Sequence, residues 1–129
     1  MSGWVMVWGS NDCHVLGLGT RVSGRKRPFP VASIDADAPS GLKRLLPQCT
    51  QVVASGVHSL AVSVDGALHS WGVNDEGQLG RRIPDGDEES PAVPGVVQLG
   101  AAPEEAGKVT AAAATDAASF ALTEQGTVR

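Results

Sequence analysis

With 129 residues, 42% of them hydrophobic, the chain has apolar material enough for a core, but it is poor in aromatics and carries 16 glycines. Fourteen acidic residues against ten basic ones leave a formal charge of −4, which argues against a polyanion-binding surface over the whole molecule. No run approaches the roughly 20 apolar residues of a membrane-spanning helix, and the start lacks the positive region and apolar length of a secretory signal.

Taken in chain order, Val5–Trp8 predicts a short strand and Asn11–Gly19 a loop, with Gly17 and Gly19 supplying turn conformations. A break at Pro28-Phe29-Pro30 precedes a strand over Val31–Ile34. Asp35–Pro39 reads as an inserted loop, and Ser40 as the cap of one helical turn through Leu42, Leu45 and Leu46, stopped by Pro47. Thr50–Ala54 and His58–Val64 are strands. The second alternates, with Leu60, Val62 and Val64 on one face and Ser59, Ala61 and Ser63 on the other. Asp65-Gly66 is a hairpin turn into a strand over Ala67–Trp71. Residues 73–95 form a long loop with an acidic stretch and prolines, then Val96–Leu99 and Lys108–Ala113 are strands. Ala118–Thr123 pairs through a Gln125-Gly126 turn with Thr127–Arg129. Alanines 111–114 favour helix on propensity alone, but their repeat register requires a strand.

That register comes from two phrases stated twice. Trp8-Gly9, Asn11-Asp12 and Leu16-Gly17 recur 63 positions on as Trp71-Gly72, Asn74-Asp75 and Leu79-Gly80. The stretch Val52 to Gly66 recurs 60 positions on, from the alanines at 112–114 to Gly126. A period near 60 is the mark of a repeat architecture whose units bury their apolar faces only by stacking. The units are about 1–66, about 67–126, and the start of another at 127–129. Leu16, Leu79, Leu60 and Val62 are expected to pack between units, and Trp8 and Trp71 to pin loops to the sheet ends.

Conventional catalytic signals are missing. Gly17-Leu18-Gly19 lacks the rest of a dinucleotide fingerprint, and Gly107-Lys108 lacks a phosphate loop's glycine spacing. His14, His58 and His69 are scattered, with no carboxylate or cysteine at metal-ligand spacing, so no metal site is assigned. Cys13 and Cys49 read as reduced thiols of an intracellular protein. Two charge clusters stand out, basic at Arg21, Arg25, Lys26 and Arg27, and acidic at Asp85, Asp87, Glu88 and Glu89. Acids also occupy loops at one end of the units: Asp12, Asp75, Glu76 and Asp116. Turn chemistry accounts for such acids in general. Asp116 differs, because its repeat equivalent, taken as Val57 with a one-residue gap, is not acidic.

Ser70-Trp71-Gly72-Val73-Asn74-Asp75-Glu76-Gly77-Gln78-Leu79-Gly80, with Val52 to Ala61 before it, resembles the regulator-of-chromosome-condensation repeat. The resemblance implies an all-β fold, a seven-bladed β-propeller of four-stranded antiparallel blades. This chain would hold about two blades and the start of a third, as part of a longer protein. Asn74-Asp75-Glu76-Gly77, Leu79-Gly80-Arg81, the acidic insert with Pro91 and Pro94, Arg25-Lys26-Arg27-Pro28 and Ala114-Thr115-Asp116 resemble the family's nuclear exchange factor for the small GTPase Ran. That likeness implies a guanine-nucleotide exchange factor, not an enzyme making covalent bonds. Asp12, Asp75 and Glu76 would contact Ran, Asp116 would serve turnover, and Arg25, Lys26 and Arg27 would meet DNA phosphates of a nucleosome. It implies no cofactor, no membrane and no small-molecule substrate, and a nuclear location with a cytoplasmic share. The chain departs from the pattern where His14-Val15 replaces Gly-Gln, Thr115 a glycine and Ala118 a histidine. The other reading is a noncatalytic interaction propeller of the same family, as in ubiquitin ligases and scaffold proteins.

Overall fold

A computed structural model describes residues 3–34, 43–99 and 107–124. They form strands with two short 3-10 turns, at Asp12–His14 and Ser90–Ala92. The strands are β1 (Met6–Ser10), β2 (Gly24–Pro30), β3 (Ala32–Ile34), β4 (Lys43–Leu45), β5 (Cys49–Ala54), β6 (His58–Ser63), β7 (Leu68–Gly72), β8 (Gly95–Val96), β9 (Val109–Ala114) and β10 (Ser119–Thr123). The antiparallel order β5-β6-β7-β8 makes one complete four-stranded blade. The pairs β1-β2 and β10-β9 are the halves of blades on either side, and β3-β4 is a small hairpin. The fold is a partial β-propeller, and its complete blade runs across the boundary between the two sequence units.

Strand β6 shows why the blades stack. All six of its residues are buried. Ala61 packs with Val5, Val31, Leu46, Cys49 and Trp71 on one side. Leu60 and Val62 pack with Leu68, Val109 and Ala121 on the other. The expected alternation is present through Ser63, but neither face meets water, because a half-blade covers each. Each large apolar side chain buried this way stabilises the fold by about 1.5–3 kcal/mol. Val64, past the strand end, is exposed. The alanine run does form a strand, paired Ala114↔Ser119 through Ala111↔Leu122. Ala112 N–H also donates to Gln51 Oε1 at 2.9 Å, joining β9 to the preceding blade.

Several expectations need correction. The basic run and Pro28-Phe29-Pro30 lie within strand β2. Proline has no N–H to give a ladder, and β2 tolerates two because, among the described residues, it pairs on one edge only, with β1. The helical turn leading to Leu46 is absent where it is described: Lys43–Leu45 is a strand, with Leu45 paired to Ala32. A partner across the sheet overrides weak local propensity in so short a segment. Ser40 and Leu42 lie outside the described residues, as do the Gln125-Gly126 turn and Thr127–Arg129. The strand expected over Val96–Leu99 is only Gly95–Val96. Trp8 pins no loop and is 60% exposed, whereas Trp71 is buried and its Nε1–H donates to the Val15 carbonyl at 2.7 Å. Trp71 has the loop of the preceding half-blade as its cover, and none of the described residues plays that part for Trp8.

The acidic insert is held rather than free. Arg81 reaches under it and donates through Nη2 to the carbonyls of Ser70, Ser90 and Val93, each at 3.0 Å. Asp87 accepts from the Ser90 N–H and hydroxyl, which holds its carboxyl below the usual range. Glu89 Oε2 accepts from the Thr20 hydroxyl at 2.6 Å, tying the insert to the first loop.

Candidate functional site

The acidic residues sit on loops that leave the same end of successive blades. The first is Asn11 to Gly17. Asn11 Oδ1 accepts the Leu16 N–H at 2.9 Å, closing the loop. The second, Asn74 to Gly80, is closed identically by Asn74 Oδ1 and the Leu79 N–H at 3.0 Å. Asparagine suits this job because its short side chain mimics a backbone acceptor. Each loop then docks on the blade that follows. Ser59 Oγ donates to the Val15 carbonyl at 3.0 Å, and Ser119 Oγ, its repeat equivalent, to the Gln78 carbonyl at 2.6 Å.

Asp12 opens the 3-10 turn of the first loop and is exposed. Asp75 and Glu76 are exposed on the second. Asp116 lies in the turn between β9 and β10, exposed, with Oδ1 accepting the Gly56 N–H of the preceding blade at 2.9 Å. The hairpins correct the repeat alignment. Ser55 N–H bonds to the His58 carbonyl, and Thr115 N–H to the Ala118 carbonyl. The offset is therefore 60 throughout, and Asp116 matches Gly56, the residue it holds, with no gap and not Val57. The bond crosses between equivalent points of neighbouring blades.

Sequence reasoning missed the residues that join these loops. Gln78 is buried. Its Nε2 donates to the Asp116 carbonyl at 3.1 Å, and its Oε1 accepts the Glu76 N–H at 2.9 Å. Behind it, His58 is fully buried, with Nε2 2.8 Å from Ser119 Oγ and Nδ1 2.9 Å from Ser55 Oγ. Since the Ser119 hydroxyl is committed to Gln78, the network assigns a proton to Nε2, while the Ser55 hydroxyl beside Nδ1 also donates to the His58 carbonyl at 2.9 Å. Burial pushes the His58 pKa down, against the pull of Asp116. The available signal was the serine repeated at 59 and 119, beside a valine-to-glutamine change between Val15 and Gln78.

The structure thus brings Asp75, Glu76 and Asp116 into one acidic patch across a blade junction, with Asp12 on the equivalent loop one blade earlier. Arg25, Lys26 and Arg27 are exposed on β2, and Arg25 lies over the Phe29 ring at 4.6 Å. They form a separate basic edge that begins opposite Gly9. No group of three or more histidine, cysteine, aspartate or glutamate residues among the described residues is arranged to hold a metal. Cys13 is exposed and Cys49 buried, both as free thiols. No helix among the described residues is long and apolar enough to cross a membrane.

The family model of the regulator of chromosome condensation (RCC1) repeat matches residues 65–122, and a second model of that repeat matches 49–78. The chain is 38% identical over 126 residues to the regulator of chromosome condensation of Mus musculus, covering 98% of this chain and 25% of the relative. It is 37% identical over 89 residues to the probable E3 ubiquitin-protein ligase HERC3 of Homo sapiens, covering 69% of this chain and 7% of the relative. A crystal structure of Prp20p from Saccharomyces cerevisiae, described with its binding properties to Gsp1p and histones, superposes with a TM-score of 0.71 at 28% identity. It is matched over 99% of this chain and 28% of its own. The chain therefore spans about a quarter of the length of such relatives. The repeated Trp-Gly loops, the four-stranded blade they close and these matches make the chain a member of the regulator of chromosome condensation (RCC1) repeat family.

Proposed function

We propose that this chain is the part of a nuclear guanine-nucleotide exchange factor that meets the small GTPase Ran through its acidic loop end. The observation that carries the reading is the blade junction at which Gln78 joins the Glu76 backbone to the Asp116 turn, with exposed Asp75 beside Glu76 and Asp12 on the equivalent loop one blade earlier. The regulators of chromosome condensation among the relatives support it. Such a factor makes no covalent bond. It binds the nucleotide-free GTPase more tightly than the loaded one, and linkage requires it to weaken nucleotide affinity by the same factor. Acidic loops steer a basic partner surface and fix its register. Asp116 is the residue assigned to turnover. The exposed run Arg25, Lys26 and Arg27 is assigned to DNA phosphates on chromatin, where its contribution falls as salt rises.

Release of a fluorescent guanine nucleotide from Ran tests the reading. Catalytic amounts of the protein should accelerate release, and Asp116→Ala should lower the maximal rate with little change in half-saturating Ran. An unaccelerated release leaves the second reading, a noncatalytic interaction propeller, which the match to a ubiquitin ligase favours.

A further inference from the structure

The two loop dockings share one serine-to-carbonyl hydrogen bond and differ in the side chain that carries that carbonyl. At the first junction Val15 offers its carbonyl to Ser59 Oγ and Trp71 Nε1. Its aliphatic side chain makes no hydrogen bond, and the facing turn carries Gly56. At the second, Gln78 offers its carbonyl to Ser119 in the same way. Its side chain adds two bonds, one to each acidic loop, and the facing turn carries Asp116. The blades close at the first junction without this link, so the fold does not need it.

We infer that Gln78 is a positioning residue that locks the Asp116 turn to the Asp75-Glu76 turn, so that the acids of two blades meet a partner as one rigid unit. The inference rests on the exchange reading above. Asp116 is held from both ends of the residue. Its carbonyl is fixed by Gln78 Nε2, and its carboxylate is turned onto the Gly56 N–H. Releasing the carbonyl frees the peptide to rotate and lets the carboxylate leave Gly56. Groups held before encounter lose less entropy on binding, and misplacement of such a group is felt in the step that needs its exact position.

The test imports the residue of the first junction. Gln78→Val keeps the backbone docking that Val15 already makes. Gln78→Glu keeps the acceptor for the Glu76 N–H, removes the donor to Asp116 and sets a carboxylate against the Asp116 carbonyl in its place. Hydrogen–deuterium exchange at the Gly56 amide should rise about tenfold in both variants, the loss expected from one hydrogen bond. Maximal nucleotide release from Ran should fall about fivefold to tenfold, with half-saturating Ran unchanged within about twofold. Normal maximal release in both variants, with an active wild type, overturns this inference alone, as does unchanged protection of Gly56. A wild type that releases no nucleotide overturns the exchange reading and this inference with it.

Discussion

The loops Asn11–Gly17 and Asn74–Gly80 are one design carried out twice, and their differences separate the parts both loops use from those that only one of them carries. Both close through an asparagine side chain, both end on a leucine and a glycine, and both dock on a serine of the next blade. These shared parts are the fold. The first loop has His14, at φ 60, where the second has Gly77, at φ 76. It also has Cys13 at φ 60, so two successive side chains sit in the left-handed region. The second loop has Gln78 and the bridge to Asp116 where the first has Val15. The first loop stores backbone strain and the second stores a cross-blade link.

The comparison breaks most sharply at the tryptophans. Trp71→Ala should cost about 3–5 kcal/mol, because the indole is buried and its N–H bonds Val15. Trp8→Ala, at the equivalent but exposed position, should cost under about 1 kcal/mol. Equal losses in denaturant unfolding would mean that both loops are pinned alike.

The asparagines rank next. Asn11 also donates through Nδ2 to the carbonyls of Gly19 and Val22, at 3.2 and 2.7 Å. Asn11→Ala removes the side-chain partner of three backbone groups, two of them on buried residues, and should cost about 2–3 kcal/mol, against about 1 kcal/mol for Asn74→Ala. The reverse order, read from the same unfolding curves, would assign the stronger closure to the second loop.

A third comparison lies in the strands that lead into the loops. Met6 in β1 matches His69 in β7, and His69 is buried with neither ring nitrogen hydrogen-bonded. Burial lowers its pKa from 6.5; the Asp65 carboxylate opposes that shift and the Arg81 guanidinium adds to it. The unfolded chain therefore binds more protons than the folded one between the two pKa values, so stability rises with pH there. It is fully present above the unfolded value and is lost as pH falls below it. His69→Met should flatten the pH dependence of Tm below pH 6.5, leaving the share of His58, which has the same sign. Asp65 and Asp87, lowered by their serine hydrogen bonds, act only further down, below 3.8. An unaltered slope in His69→Met would locate the titration elsewhere.

The smallest effect restores the repeat. His14→Gly relieves a left-handed side chain worth about 1–2 kcal/mol. Glycine's extra chain entropy, about 0.5–1 kcal/mol, offsets part of that. A net gain of about 0.5–1 kcal/mol is expected, and Gly77→His should lose about as much. Destabilisation by His14→Gly would show that the imidazole holds the loop.

Legibility followed the range of the interactions involved. The repeat period, the strands around Asp65-Gly66 and the acidic loop residues are local patterns, so the sequence by itself determined the family, the propeller class and the candidate patch. Alternation along β6 was readable because side chains on a strand alternate with period 2. That both its faces are covered was not readable, since cover comes from residues tens of positions away. The prolines of β2 and the Lys43–Leu45 strand were misread because pairing partners, not local preference, decided them. The alignment of Asp116 with Gly56 needed the hairpin hydrogen bonds, and the Gln78 bridge needed two loops 38 residues apart brought to 3.1 Å. Hydrogen bonds of that kind have no period in the sequence. Only the tertiary structure, by stacking one blade on the next, decided which acid is held and by what.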